Sequence, residues 1–173
     1  VDIDEAELRK PSIKPDLSVN ADAKEFIVSM ISQLEKEAIT LPVEDWLQKC
    51  SNWKKKYPVA LPEYKGNKEG VNSFYFVDFL SQKLDKDAVV VTDMGTSFTC
   101  TMQTFKTKQG QRLFTSSGHA SMGFGLPGAI GACLANGKKK TICISGDGAL
   151  QMNIQELQTL VHYGLPVLLF VLN

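Results

Sequence analysis

The amino-acid sequence predicts an α/β fold with a mostly parallel sheet and helices on both faces. Two observations support this prediction. From Val71 onward, short apolar runs of strand length alternate with longer segments whose apolar residues recur at helical spacing. The short runs are rich in β-branched residues with little polar alternation, which is typical of strands buried on both faces. Strands that alternate with helices favour parallel pairing, because each helix returns the chain to the same edge of the sheet.

The first 70 residues have a different character and predict a helical linker ahead of the sheet. "VDID" resembles the end of a strand, and "KPSIKPDLSVN" with its two prolines predicts an extended connector. Asn20 or Asp22 is placed to cap a helix over 23–35. A second helix is predicted over 43–57, with Trp46, Cys50 and Trp53 on one face, followed by a loop at 58–70.

The remainder of the chain predicts four helices and four strands. In order, these are a helix at 72–84, a strand at 88–93, a helix at 97–105, a strand at 112–116, a helix at 126–136 opened by Pro127, a strand at 140–145, a helix at 150–163 stopped by Gly164, and a strand at 167–172. We therefore divide the chain into 1–40 as the tail of a preceding domain, 41–70 as linker and helix, and 71–173 as the sheet domain.

Composition excludes several classes of protein. Nineteen basic and nineteen acidic residues cancel, so no electrostatic argument for nucleic acid exists. No apolar run approaches the ~18 residues of a membrane span. The four cysteines lack C-x-x-C spacing, which disfavours a zinc site and suits reduced thiols in the cytoplasm. Because the chain lacks an initial Met and stops within an apolar strand, we expect it to be part of a longer protein.

Small polar residues follow three of the predicted strands, at 92–97, 115–123 and 145–149. The carboxyl ends of parallel strands share one edge of the sheet, where ligands bind in such folds. Backbone N–H groups and helix N-termini at that edge favour a phosphate-bearing ligand. Asp147, between Gly146 and Gly148, would repel a bare phosphate, but Mg²⁺ can bridge a carboxylate to phosphate oxygens. His119 lies in the second of these loops.

A dinucleotide-binding module is the alternative. Gly123, Gly125 and Gly128 match G-x-G-x-x-G, and Asp147 ends the next strand. Two details oppose it: "SSGHAS" separates the glycines from the preceding strand, and another strand already precedes the unit. A lone match of this kind is weak.

The decisive segment, "SGDGALQMNIQELQTLVHYGLPVLLFVLN", resembles the thiamine diphosphate motif, in which GDG is followed some two dozen residues later by N or NN. "GHASMGFGLPGAIGA" is similar to the companion segment of the acetolactate synthase large subunit, and "VDIDEAELRKPSIKPDLSVNADAKEF" resembles the end of that enzyme's central domain. The resemblance covers nearly the whole chain except about 41–70. It implies that 71–173 form a thiamine diphosphate-binding domain that is truncated at its C-terminus.

The resemblance also implies site residues. Asp147 would bind Mg²⁺, and the N–H groups of Gly148 and Ala149, beside Gly146, would meet the diphosphate. Gly95, Thr96 and Ser97 match a loop that contacts the diphosphate. The Ala120 carbonyl and the Met122 N–H match positions that hold the aminopyrimidine ring, and the Met122 side chain would support the bent cofactor during catalysis.

The activity implied is decarboxylation of a 2-oxo acid such as pyruvate, followed by carboligation to acetolactate. Acetolactate synthases usually carry Gln-His where this chain has Thr96-Ser97, and Gly-Thr-Ser is found in simple 2-oxo-acid decarboxylases. His119 stands where Leu is common. Carboligation and aldehyde release therefore both stay open.

The family further implies parts beyond this chain. A second Asn after Asn173 would complete the metal ligands, and a neighbouring subunit of a homodimer or tetramer would supply a glutamate. FAD, where it is bound, would contact mainly the central domain. We expect the 173 residues alone to be inactive.

Overall fold

The structure is a computed structural model that describes residues 1–66 and 68–173. The chain forms two compact units, Val1–Lys56 and Tyr57–Asn173. The predicted loop at 58–70 includes Asn67, which lies outside the described residues. The assignment of 1–40 to a preceding domain stays a prediction.

The first unit contains three helices, α1 (Glu5–Leu8), α2 (Ala23–Lys36) and α3 (Glu44–Lys56). Asp22 is the cap of α2, because its carboxylate accepts the N–H of Lys24 at 2.8 Å. Asn20 instead donates its side-chain amide to the carbonyls of Asp2 and Ile3. Where "VDID" predicted a strand end, the structure has one isolated parallel bridge between Asp2 and Asn20.

Helix α3 confirms the predicted aromatic face. The rings of Trp46 and Trp53 meet edge to face with centroids 5.8 Å apart, and both side chains are exposed. The Lys49 ammonium lies 5.0 Å from the centroid of the Trp53 ring, within reach of a cation–π contact.

The second unit contains the sheet. After a 3₁₀ helix at Pro62–Gly66, its elements are α4 (Ser73–Lys83), β1 (Val89–Thr92), α5 (Thr96–Thr104), β2 (Arg112–Phe114), α6 (Gly125–Ala135), β3 (Thr141–Gly146), α7 (Asp147–Met152), α8 (Glu156–Tyr163) and β4 (Val167–Leu172). The strand order is β2-β1-β3-β4, and every pair is parallel. The predicted fold class, a parallel sheet with surrounding helices, is confirmed.

Alternation along the strands divides the core between two faces of the sheet. Val90 and Ile144 point to the face where Leu80 of α4 packs, together with Phe105 directly after α5. Val91 and Cys143 point to the opposite face, where they meet Ala129 of α6. The central strands β1 and β3 are therefore buried on both sides, as their apolar sequences predicted, whereas the edge strands β2 and β4 are partly exposed.

The single helix predicted over 150–163 is wrong, because the structure has two helices separated by a turn at 153–155. Asn153 leaves the helical conformation, with φ −136° and ψ 35°, and its side-chain amide donates to the Gly123 carbonyl at 2.8 Å. The predicted stop is confirmed: Gly164 ends α8 in the left-handed conformation, with φ 56°.

All four cysteines are free thiols, and three of them, Cys100, Cys133 and Cys143, are buried. Across residues 1–66 and 68–173, no helix combines the length and apolar character needed to cross a membrane.

Candidate cofactor-binding site

The three predicted polar loops meet at the carboxyl edge of the sheet, and the carboxylate of Asp93 lies where they join. Asp93 follows β1 and accepts the N–H groups of Met94 at 2.8 Å, Gly123 at 3.0 Å and Gly125 at 2.7 Å. The hydroxyl of Ser145, near the end of β3, donates to the same carboxylate at 3.3 Å. One side chain therefore connects the ends of two strands with the start of α6.

Asp93 is fully buried, with 0% of its surface exposed. Burial of a carboxylate is costly unless hydrogen bonds and favourable charge compensate for the lost water. Here the partners are backbone N–H groups, and Gly125 is the first residue of α6, whose N-terminus carries partial positive charge. The local signal for this role is an acidic residue directly after the apolar run "AVVVT".

This geometry argues against the dinucleotide alternative. A dinucleotide pyrophosphate would bind at the N-terminus of α6, but the Asp93 carboxylate already lies there. Close packing explains why glycine occurs at two of these positions. A Cβ on Gly125 would lie 2.7 Å from Asp93 Oδ2, and a Cβ on Gly128 would lie 3.0 Å from the ring of Phe124.

Met122 and Gly148, which belong to different predicted contact loops, lie side by side. The Met122 Cε atom is 3.6 Å from the position that a Cβ on Gly148 would take, and the Met122 side chain is half exposed. Ala120, two residues earlier, adopts a positive φ of 55°, which is unusual for a residue with a side chain. The loop thus holds a strained backbone at a position that the sequence assigned to cofactor binding.

Asp147 is exposed to solvent and lines a cavity of about 530 Å³. Thr96, the first residue of α5, and Asn173 line the same cavity, and Phe76 and Phe170 form part of its apolar wall. Gly95 enters α5 with φ 78° and ψ −140°, a conformation that requires glycine. With Ser73, which also lines it, the cavity combines four oxygen-bearing side chains with an apolar surface.

The other predicted contact residues lie near this edge with different exposure. Gly146 is half-buried at the start of α7, and Ala149 is buried within it. Ser97 is buried, and its hydroxyl donates to the Met94 carbonyl at 3.0 Å. A contact between Ser97 and a ligand stays a prediction.

The donor set at Asp147 bears on what kind of metal site is possible. Among the residues that the structure describes, no group of three or more His, Cys, Asp or Glu residues could hold a metal ion. Asp147, Thr96 and Asn173 each carry a side-chain oxygen, the kind of ligand atom that suits Mg²⁺ when a ligand's phosphate oxygens complete the shell. The arrangement fits a metal that binds together with a diphosphate.

Comparison with known proteins identifies the family. Residues 93–173 match the thiamine pyrophosphate enzyme, C-terminal TPP binding domain. Residues 93–173 belong to this family of thiamine pyrophosphate-binding domains. The family match begins at Asp93, the residue that joins the three loops.

Relatives that match the whole chain include acetolactate synthase large subunits. Identity is 33% to the isozyme 1 large subunit of Escherichia coli, 36% to the large subunit of Cyanidium caldarium and 33% to that of Porphyra purpurea, in each case over 100% of this chain. The chain spans 29% of the length of these relatives.

Proposed function

We propose that this chain binds thiamine diphosphate and Mg²⁺ at the carboxyl edge of its sheet, as part of an enzyme of acetolactate synthase type. The observation that carries the proposal is the meeting of the loops at that edge. Asp147 and Thr96 line one cavity there, and Met122 lies against Gly148. These residues come from segments far apart in sequence, and all were assigned to cofactor contact.

Each residue has a specific part in this proposal. The Asp147 carboxylate would hold Mg²⁺, whose charge would neutralise that of the diphosphate. The N–H groups of Gly148 and Ala149 donate to the diphosphate, beside Gly146. Gly95 and the hydroxyls of Thr96 and Ser97 complete this side of the site.

The other end of the cofactor lies at the loop between β2 and α6. The Ala120 carbonyl and the Met122 N–H would hold the aminopyrimidine ring, and the Met122 side chain would support the cofactor. Bound thiamine diphosphate supplies the electron sink that a 2-oxo acid needs when it loses CO₂.

The proposed reaction is decarboxylation of pyruvate followed by carboligation to acetolactate, which the names of the relatives support. Thr96-Ser97 favours the second candidate, a 2-oxo-acid decarboxylase or a carboligase with another acceptor. Product analysis separates the two candidates, because acetolactate retains a new carbon–carbon bond and acetaldehyde does not.

The proposal extends to assembly and location. The relatives are named large subunits, which supports an oligomer, and we propose a homodimer or tetramer in which a neighbouring subunit completes the site. Of the two candidate functions, only the acetolactate synthase type includes FAD binding by the whole protein. Four free thiols fit the reducing cytoplasm.

The test is calorimetric titration of the full-length protein with thiamine diphosphate, in Mg²⁺ and in EDTA. We expect binding in Mg²⁺ only, and at least a tenfold loss of affinity in Asp147→Asn. Asp87→Asn is the matched control, because Asp87 is an exposed carboxylate outside the site. Failure of the folded wild-type protein to bind would refute the proposal, as would equal affinities for Asp147→Asn and Asp87→Asn.

A further inference from the structure

The peptide units on either side of Gly123 are held by two separate side chains. The Gly123 N–H donates to Asp93 Oδ1 at 3.0 Å, and the Gly123 carbonyl accepts the side-chain amide of Asn153 at 2.8 Å. Asp93 follows β1 and Asn153 follows α7, so the two restraints come from opposite directions in the sequence. The residue after Met122 is thereby fixed at both its polar groups.

Close packing leaves Gly123 little room to move. It has φ 86°, and a Cβ at this position would lie 2.7 Å from Met152 Cβ and 2.9 Å from the Asn153 side chain. The neighbouring Gly125 N–H donates to the other oxygen of Asp93 at 2.7 Å. The Asp93 carboxylate thus binds two backbone N–H groups of this segment, one through each of its oxygens.

These restraints also affect Met122, because it directly precedes Gly123 and lies at the end of the restrained segment. Its Cε lies 3.6 Å from the Cβ position of Gly148, and the side chain is 52% exposed. The position of Met122 relative to the α7 loop therefore depends on the backbone of Gly123.

We propose that Asp93 is a positioning residue which, together with Asn153, fixes Gly123 so that Met122 stands at a set distance from Gly148 before the cofactor binds. This inference rests on the proposed function, because it assigns the purpose of the restraint to cofactor binding. Asp93 itself does not touch the cofactor. It is buried behind the loop and acts through the backbone.

The test uses Asp93→Asn, which keeps the size of the side chain but presents an NH₂ group to one of the two glycine N–H donors. We expect amide hydrogen exchange within 122–125 to accelerate at least tenfold in the cofactor-free full-length protein. We also expect the Kd for thiamine diphosphate to rise at least tenfold. Asn153→Ala removes the restraint on the Gly123 carbonyl and is expected to act in the same direction.

Thr141→Val is the matched control. Thr141 is also fully buried, and its hydroxyl donates to the Lys139 carbonyl at 3.2 Å at the other end of β3. This variant also loses a buried hydrogen bond, so its global stability falls, but we expect exchange within 122–125 and the Kd to match wild type. If Asp93 had only a structural role, Asp93→Asn and Thr141→Val would show the same exchange within 122–125 and the same Kd.

The outcomes separate this inference from the proposed function. If wild type binds thiamine diphosphate but Asp93→Asn and Asn153→Ala bind it equally well, the positioning role is overturned and the proposed function stands. If loop exchange in Asp93→Asn equals that in Thr141→Val, the restraint is overturned. If Asp93→Asn does not fold, Asn153→Ala decides by the same two measurements. If folded wild type binds no thiamine diphosphate, both proposals fall.

Discussion

At the scale of single residues, two glycines of helix α6 have opposite roles. Gly125 faces the buried Asp93 carboxylate, and a Cβ there would lie 2.7 Å from Oδ2 and 3.0 Å from Asp93 Cβ. Gly131, six residues later, is exposed and has no heavy atom within 4 Å of its Cβ position. The first is required by a close contact, whereas the second only increases the entropy of the unfolded chain.

Gly125→Ala is expected to lower the free energy of unfolding by about 1–3 kcal/mol, because the added methyl group displaces the carboxylate. Gly131→Ala is expected to raise it by about 0.5–1 kcal/mol, since alanine favours the helix. Urea denaturation of both variants checks the pair. Equal stabilities for the two variants would contradict the contact described at Gly125.

The Cys143 thiol gives a pH dependence. Burial, and secondarily the nearby Asp93 charge, raises the pKa of Cys143 from 9.0 to about 12. The thiol ionises at lower pH in the unfolded chain than in the folded one. The contribution of Cys143 to the free energy of unfolding is therefore constant below about pH 9 and falls as the pH rises from 9 toward 12. This thiol alone contributes a slope of about 1.4 kcal/mol per pH unit.

Cys143→Ala is therefore expected to be less stable than wild type at pH 7 but to lose less stability between pH 9 and pH 10. Urea denaturation at these pH values measures the difference, and groups that titrate in both proteins cancel. The same slope in both proteins would show that Cys143 is not held neutral by its surroundings.

At the scale of elements, α4 depends on Asn72, the capping residue directly before it. The side-chain oxygen of Asn72 accepts the N–H groups of Phe74 at 3.0 Å and Tyr75 at 3.2 Å. Asn72→Ala leaves these donors without that partner and is expected to cost about 1 kcal/mol in the free energy of unfolding. Asn72→Asp keeps an acceptor oxygen and is expected to stay within about 0.5 kcal/mol of wild type. Thermal and urea denaturation distinguish the two, and equal losses would contradict the cap.

Most elements were predictable because their signals are local. The strand "TICIS" and the helix from Pro127 follow from apolar runs and from breakers within a few residues. Convergence of the three loops was predictable as well, because parallel strands end at one edge. The break at Asn153 and the role of Asp93 were not, since both depend on contacts with Gly123, 30 residues away in sequence.

At the scale of the whole molecule, the buried core belongs to the second unit. Among the described residues, buried apolar side chains lie between Val77 and Leu165, whereas α1, α2 and α3 contain no buried residue. We expect residues 57–173 alone to unfold in one cooperative transition and residues 1–56 alone to unfold gradually, because cooperativity requires a packed core. Urea titrations of the two segments, followed by circular dichroism, test this, and a sharp transition in 1–56 would contradict it.

The buried carboxylate of Asp93 also bears on how the chain reaches its fold. Its partners Gly123, Gly125 and Ser145 follow it by 30, 32 and 52 residues, so long loops must close before the carboxylate is satisfied. A slip of one residue between β1 and β3 would still pair apolar strands, but it would turn Asp93 away from its donors. Burying it unsatisfied would cost several kcal/mol. The same side chain that joins the loops therefore penalises misaligned strands during folding, and the sheet can settle only in the register that assembles the site.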